Sequence, residues 1–546
     1  MSKRASGILM PIFSLPGKYG IGCMSAEARK FADFLQKSGQ SYWQILPVGP
    51  TGYGDSPYQS FSTFAGNPYF IDPYELIRRG LLKKNECREL EQKSAAESSA
   101  SANHKAASGK ETASSAKEKT VSVKGTASMK NDNPAHNSVP GVDYGFQYEH
   151  RFKVLRKAYA RWKDAGEGDA FRRFAEANKE WLHDYALFMA LKDAFGGAPF
   201  TQWDDDIRYR EPAALRSWTE KLSDEISFYE FLQYEFDREW KSLKAYVNSR
   251  GIRIIGDIPI YVSPDSADFW ANPTMFQVNE QYLPTAVAGV PGDGFCADGQ
   301  LWGNPLYNWK KMEQDNYSWW IRRIRKCCEF YDVIRIDHFR GFDEYFSVKA
   351  GEKTARNGQW EKGPGMKLFN AIRSELGELP IIAEDLGYIT QSVRELVRDT
   401  GFPNMKVLEF AFDSRDSSGA EQYKPYNYSS NCVVYTGTHD NETVVGWYQS
   451  ILPAERRNLR EYLAASSDDP QEICDRMIRA AEGSVADTCI IPMNDWLGLD
   501  NSARINHPST MGTNWHWRMA KGADNAKLAG RIRGITETYG RLHEDA

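Results

Sequence analysis

Six short apolar runs, each closing on polar or turn residues, constrain this chain most: YWQILPVGP, GIRIIGDIPIYV, YDVIRIDHF, LPIIAEDLG, MKVLEFAFD and NCVVYTGTHDNE. Runs of this length, rich in β-branched residues, read as buried strands. Most precede a helix-patterned stretch such as TQSVRELVRDT. Ala26–Gln36 and Ser227–Ser249 also carry apolar residues at helical spacing, and Gly251 stands where a C-terminal cap glycine belongs. Repeated βα units imply a parallel sheet. The pattern runs through nearly all of the 546 residues without a break. It therefore predicts an α/β chain forming one domain over 1–546, a closed (β/α)8 TIM barrel with inserted helical and loop subdomains.

Two segments depart from that rhythm. Residues 92–141 are rich in Ser, Ala and Lys and contain no Phe, Trp, Tyr, Leu or Ile. Such a stretch cannot bury enough apolar surface to offset its ordering entropy, and is expected to be a disordered insertion. Residues 146–224 are helix-patterned and hold no good strand, so they read as a helical subdomain inserted in the barrel.

Composition removes several classes of function. With a net charge of -5, the chain lacks the basic excess of a nucleic-acid surface. No apolar stretch approaches the roughly 18 residues of a membrane span. Pro11 and Pro16 interrupt the first apolar segment before a signal-peptide core forms. The eight cysteines are scattered without a CxxC, so neither a zinc ribbon nor a disulfide framework is suggested. Cys327 follows Trp320 and Ile324 at helical spacing, as a small residue on a buried face would. A cytoplasmic setting follows, with no membrane or nucleic-acid partner.

The acids carry the functional signal. Asp257 (IIGDIP), Asp337 (IRIDHF), Glu384 (IIAEDLG) and Asp440 (TGTHDNE) lie at or near the C-terminal ends of apolar runs. In a parallel barrel those ends converge on one rim, where catalytic residues gather. Clustered carboxylates suit glycosidic bond cleavage, in which one acts as nucleophile and another as proton donor. Residues two apart on a strand share a face, so Arg335 is expected beside Asp337, holding it ionised for nucleophilic attack. Glu384 follows Ile381, Ile382 and Ala383. Desolvation and the Asp337 charge are expected to raise its pKa, as a general acid requires. A rival reading takes His338, His439, Asp337, Asp440 and Glu384 as zinc or manganese ligands, although no H-x-H or HExxH pair is present.

Longer motifs carry a resemblance. GPTGYGDSPYQSFSTFAGNPYFIDP, IIGDIPIYVSPDSADFW, GVPGDGFCADGQLWGNPLYNW, VIRIDHFRGF, IIAEDLG, GFPNMKVLEFAFD, TGTHDNET and ARINHPS…NWHWR resemble the amylomaltases. These are the 4-α-glucanotransferases of glycoside hydrolase family 77. The similarity runs from about Ser6 to Thr538, omitting 92–141. It implies a (β/α)8 barrel without a C-terminal β-domain, and transfer of α-1,4-glucan segments to the 4-hydroxyl of an acceptor glucan. By motif, Asp337 corresponds to the nucleophile, Glu384 to the acid/base and Asp440 to the transition-state stabiliser. Arg335, His338, His439 and Asp257 correspond to residues lining the subsite of the attacked glucose. Ser56, Tyr58 and Asn506 match further sugar contacts, and Tyr53 a second, outlying glucan site. Asp293, Gln300 and Trp302 match a flexible loop over the groove. Pro508-Ser509 stands where the family has Pro-Gly. Neither a cofactor nor a metal is implied. The alternatives left open are an α-1,4-glucan hydrolase using the same acids, a metal-dependent barrel hydrolase and a non-catalytic glucan-binding protein.

Overall fold

The computed structural model describes residues 4–52, 54–91, 139–292, 298–387 and 389–542. Nearly all of the insertion expected at 92–141 therefore lies outside the described residues. Twelve strands are described in chain order. The first six are β1 (Ala5–Leu9), β2 (Tyr42–Gln44), β3 (Arg253–Ile258), β4 (Ala286–Val290), β5 (Gln300–Pro305) and β6 (Val333–Ile336). They are followed by β7 (Glu344–Lys349), β8 (Gln359–Lys362), β9 (Ile381–Ala383), β10 (Asn404–Val407), β11 (Cys432–Tyr435) and β12 (Thr488–Pro492).

Eight of these form a closed parallel barrel in the chain order β1, β2, β3, β6, β9, β10, β11, β12, with β12 returning to pair with β1. The closing pairs run from Ala5 with Thr488 to Leu9 with Pro492. Side chains on both faces of the barrel strands, such as Ile8, Trp43, Ile255, Ile336 and Ile490, are essentially inaccessible. The barrel is a packed core of branched residues. Gly256 in β3 is required by packing, because a Cβ there would lie 2.1 Å from the Tyr331 ring.

Beneath the seam, buried Arg541 bonds five backbone carbonyls on both sides of the closure: Ala5, Glu482, Ser484, Ala486 and Asp487. A guanidinium has five N–H donors in a fixed fork, so one side chain serves all of these acceptors.

The strands named from the sequence are present but shorter than their apolar runs. MKVLEFAFD is a strand only as far as Val407, the end of β10, and Leu408–Phe412 turns into a 3₁₀ helix. The terminal barrel strands β1 and β12 are additions to that expectation. So is a second sheet of four strands, antiparallel in the order β5-β4-β7-β8. Part of the loop expected over the groove is thus a strand. Gln300–Pro305 is β5, and Gly289 pairs with Leu301.

Among the described residues between β2 and β3, the regular elements are helices. Phe152–Asp164, Asp169–Ala177 and Leu182–Ala194 pack with the 27-residue helix Ser223–Ser249. That helix ends at Gly251, whose φ of +75° is the left-handed geometry of a helix terminus. Among the described residues, no helix is long and apolar enough to cross a membrane.

Candidate active site

Asp337 and Glu384 directly follow the ladder partners Ile336 and Ala383. Their carboxyls therefore leave neighbouring strands β6 and β9 at one level of the barrel. Cross-strand bonds fix both backbones: the Asp337 N–H donates to the Ile258 carbonyl (2.9 Å) and the Glu384 N–H to the Ile336 carbonyl (3.1 Å). His338 lies past the strand end in the left-handed region, at φ +51°. This turn aims its N–H at Glu384 Oε2, 2.6 Å away, while the Leu386 N–H reaches Oε1 at 3.0 Å.

A chain of charge-assisted bonds lies beneath. Tyr58 Oη donates to Asp257 Oδ2 (2.8 Å), and Arg335 Nη1 donates to the same oxygen (2.5 Å) and to Asp337 Oδ1 (3.1 Å). Arg335 and Asp257 are ladder partners, and both are buried. The cation where the carboxylates of Asp257 and Asp337 converge is thus the Arg335 guanidinium. Among the described residues, no three His, Cys, Asp or Glu side chains form a group able to hold a metal.

Asp440 enters from the loop after β11. Asn506 Nδ2 donates to its Oδ1 (2.6 Å), Arg504 Nη2 to its carbonyl (2.9 Å), and the Asn506 N–H to the His439 carbonyl (3.1 Å). Rings join the two halves. Tyr58 stacks on His439 with centroids 5.1 Å apart, and Trp302 meets His338 edge-on at 4.7 Å. Gln300 Oε1 accepts from Trp302 Nε1 at 3.2 Å, and Ser56 Oγ accepts from the Tyr58 N–H at 3.2 Å. Every named site residue within the described residues thus belongs to one connected cluster; Tyr53 and Asp293 lie outside them.

The electrostatics differ from expectation at one residue. Desolvation pushes the Asp337 carboxyl up, with Arg335 opposing it and Glu384 and Asp257 adding to it. Arg335, whose guanidinium also bonds buried Asp257, does not bring it below the ordinary aspartate range because desolvation outweighs its charge. Burial also raises Glu384, against Arg335 and the two backbone N–H bonds. Burial lowers His439, and lowers His338 to about 3, so both rings are neutral near neutral pH. Asp257 Oδ1, His338 Nε2 and His439 Nδ1 are buried polar atoms without a protein partner among the described residues. Ser509, in place of the family glycine, adopts φ +64°.

Sequence reasoning did not single out Arg504, Trp515 or Asp495. Trp515 packs 5.7 Å from Tyr58 and 6.0 Å from His439. Asp495, buried past β12, accepts from Thr436 Oγ1 (2.6 Å) and from the Val444 N–H (2.9 Å), one at each end of the loop bearing His439 and Asp440. Alanine at this position removes both acceptors and so both braces. Asp495→Ala is expected to lower kcat by about 10- to 100-fold through misplacement of Asp440, with KM changing less. Wild-type kcat in a folded Asp495→Ala protein, measured by steady-state assay beside a melting curve, would exclude this role.

A (β/α)8 barrel with acids and aromatic rings gathered at its C-terminal rim defines a carbohydrate-active barrel enzyme. The family described as 4-alpha-glucanotransferase (glycoside hydrolase family 77) matches residues 10–524. The chain belongs to this family. It is 44% identical over 534 residues to the 4-alpha-glucanotransferase of Clostridium butyricum, covering 97% of this chain and 100% of that protein. It is 42% identical over 553 residues to the 4-alpha-glucanotransferase of Thermus thermophilus, covering 99% of each. Among solved structures, the amylomaltase from Streptococcus agalactiae in complex with acarbose superposes with a TM-score of 0.87 at 38% identity. That match covers 99% of this chain and 100% of the other.

Proposed function

We propose that this protein is a 4-alpha-glucanotransferase, moving α-1,4-glucan segments to the 4-hydroxyl of an acceptor glucan or glucose by retaining double displacement. The observation that carries this is the launch of Asp337 and Glu384 from one level of neighbouring strands. A retaining pair needs its carboxyls about 5–5.5 Å apart.

Asp337 attacks the anomeric carbon while Glu384 gives its proton to the departing glycosidic oxygen. The C–O bond to the leaving chain breaks as the bond to Asp337 forms. Glu384, now a carboxylate, takes the proton of the incoming 4-hydroxyl, which displaces Asp337. Asp440, anchored by Asn506, grips sugar hydroxyls more tightly as the ring flattens. Asp257, Arg335, His338 and His439 line the subsite of the attacked glucose, and Ser56, Tyr58 and Asn506 make further sugar contacts. The neutral imidazoles can donate and accept to hydroxyls, and His338 Nε2 and His439 Nδ1 are the atoms available for it. Gln300 and Trp302, with Asp293, cover the groove, and Tyr53 serves a second glucan site.

Transfer in place of hydrolysis requires the acceptor to outcompete water through orientation. Effective molarities of about 10⁵ M or more are attainable for positioned groups. Incubation with maltotriose tests this: free glucose and a ladder of longer maltodextrins should appear while total reducing ends stay nearly constant. A proportional rise in reducing ends would favour the hydrolase. A cytoplasmic location belongs to the same proposal, supported by buried free thiols at Cys23, Cys87, Cys327, Cys432, Cys474 and Cys489.

A further inference from the structure

Two tyrosines away from the acids are both exposed and held in place. Tyr426 is 66% and Tyr462 37% exposed. Their ring centroids lie 6.5 Å apart, with the planes inclined by 45°. Tyr426 Oη donates to Glu421 Oε1 (2.5 Å), which fixes the first ring. Tyr462 packs on Phe412 at 5.4 Å, and Lys424 Nζ sits 4.0 Å from the Phe412 centroid and 4.9 Å from that of Tyr462. Singly exposed rings are ordinary. A fixed, inclined pair has little rotamer freedom left to lose on binding.

Its place in the fold matters equally. Leu408–Phe412 leaves the C-terminal end of β10, and the helix Pro453–Tyr462 lies in the excursion that leaves β11. Both belong to the catalytic side of the barrel. The Phe412 ring is 6.5 Å from Trp447. Between them and the rim lies a cavity of about 210 Å³ lined by Asp440, Arg504, Trp447, Phe410 and Phe412. Trp447, Phe412, Tyr462 and Tyr426 thus form a track of rings from Asp440 to the surface.

We propose that Tyr426 and Tyr462 form an outlying platform for α-1,4-glucan chains, which retains long donors while their ends occupy the cleft at Asp440. The proposal rests on the glucan-transfer function proposed above. Successive glucose units of an α-1,4 chain turn relative to one another, so their apolar faces meet two inclined rings better than two coplanar ones. Asn427 Nδ2, bonded to the Glu421 carbonyl at 2.8 Å, and the Glu421 carboxylate sit at the edge of the platform, where hydroxyls of a neutral polyol would lie.

The test compares wild type with Tyr426→Ala/Tyr462→Ala by electrophoresis in amylose-containing gels and by kinetics on amylose and maltotriose. In the double variant the amylose retardation should shrink and KM for amylose rise about three- to tenfold. Maltotriose kcat and KM should stay within about twofold. Unchanged retardation and amylose KM would overturn the platform. So would an equal rise in both KM values, which would mean a packing effect passed through Phe412. A shift in oligomeric state with amylose binding intact would assign the rings to a protein contact and also overturn it. If the double variant fails to fold, Tyr426→Ala alone carries the test. If wild type is retarded by amylose, and the variant is not, but maltotriose is left unconverted, the platform stands and the transferase function falls.

Discussion

Asp337→Ala is expected to lower kcat on maltotriose by about 10⁴- to 10⁶-fold while leaving the fold intact. The size of the effect follows from covalent catalysis. Without the carboxylate there is no atom to accept the anomeric carbon, and acid assistance from Glu384 alone cannot replace it. Stability should move the other way. The Asp337 side chain keeps 29% exposure and bonds Arg335, while Glu384, Asp257 and Asp440 all raise its pKa by like-charge repulsion. Removing one of four crowded acids relieves that repulsion, so the melting temperature should stay level or rise, as is common where a site trades stability for activity. Activity within tenfold of wild type would end the assignment of Asp337 as nucleophile.

Glu384→Gln is expected to cost about 10²- to 10⁴-fold on maltotriose. An amide has no acidic proton for the leaving oxygen. The loss should depend on the leaving group. With α-maltosyl fluoride, whose fluoride departs without protonation, the first displacement should survive. The second lacks its base, so a maltosyl ester on Asp337 should accumulate and be seen in the mass of the intact protein. An equal loss with both donors would remove Glu384 from proton transfer. The pH profile provides a second check. Burial raises the folded-state pKa of Glu384, so its proton persists above the ordinary glutamate range and the alkaline limb of kcat/KM should lie there. Asp337 and Glu384 interact, so the limbs belong to the pair.

What the sequence discloses about this molecule follows the range over which the interactions act. β3, β6, β9 and β11 are legible because a local apolar run records burial on both faces. β1 (ASGIL) and β12 (TCIIP) are as buried, yet five residues without a distinctive ending leave no such mark. The antiparallel sheet is opaque for another reason. Its strands mix buried and half-buried positions and include QWEK, whose burial does not alternate, so only tertiary pairing makes them strands. The acids stand out because a carboxylate at the end of an apolar run conflicts with burial. Their supports do not stand out. Asp495 reaches Thr436 across 59 positions, and Tyr58 reaches Asp257 across 199. Nothing in a local window records such bonds. The same holds for Asp337, where the guanidinium two residues away was visible and its sharing with Asp257 was not.

The seam between β1 and β12 has a consequence for biosynthesis. Ala5–Leu9 is synthesised long before Thr488–Pro492, so the first barrel strand waits for its partner through nearly 500 residues of synthesis. Arg541, which ties both sides together, arrives later still. Contacts this distant in sequence slow folding. The ring of strands that gathers the acids cannot close before β12 has been made, and competence for catalysis should therefore arrive late in synthesis. Loss of a few residues around Arg541 would then be felt at the rim, on the far side of the barrel from the cut.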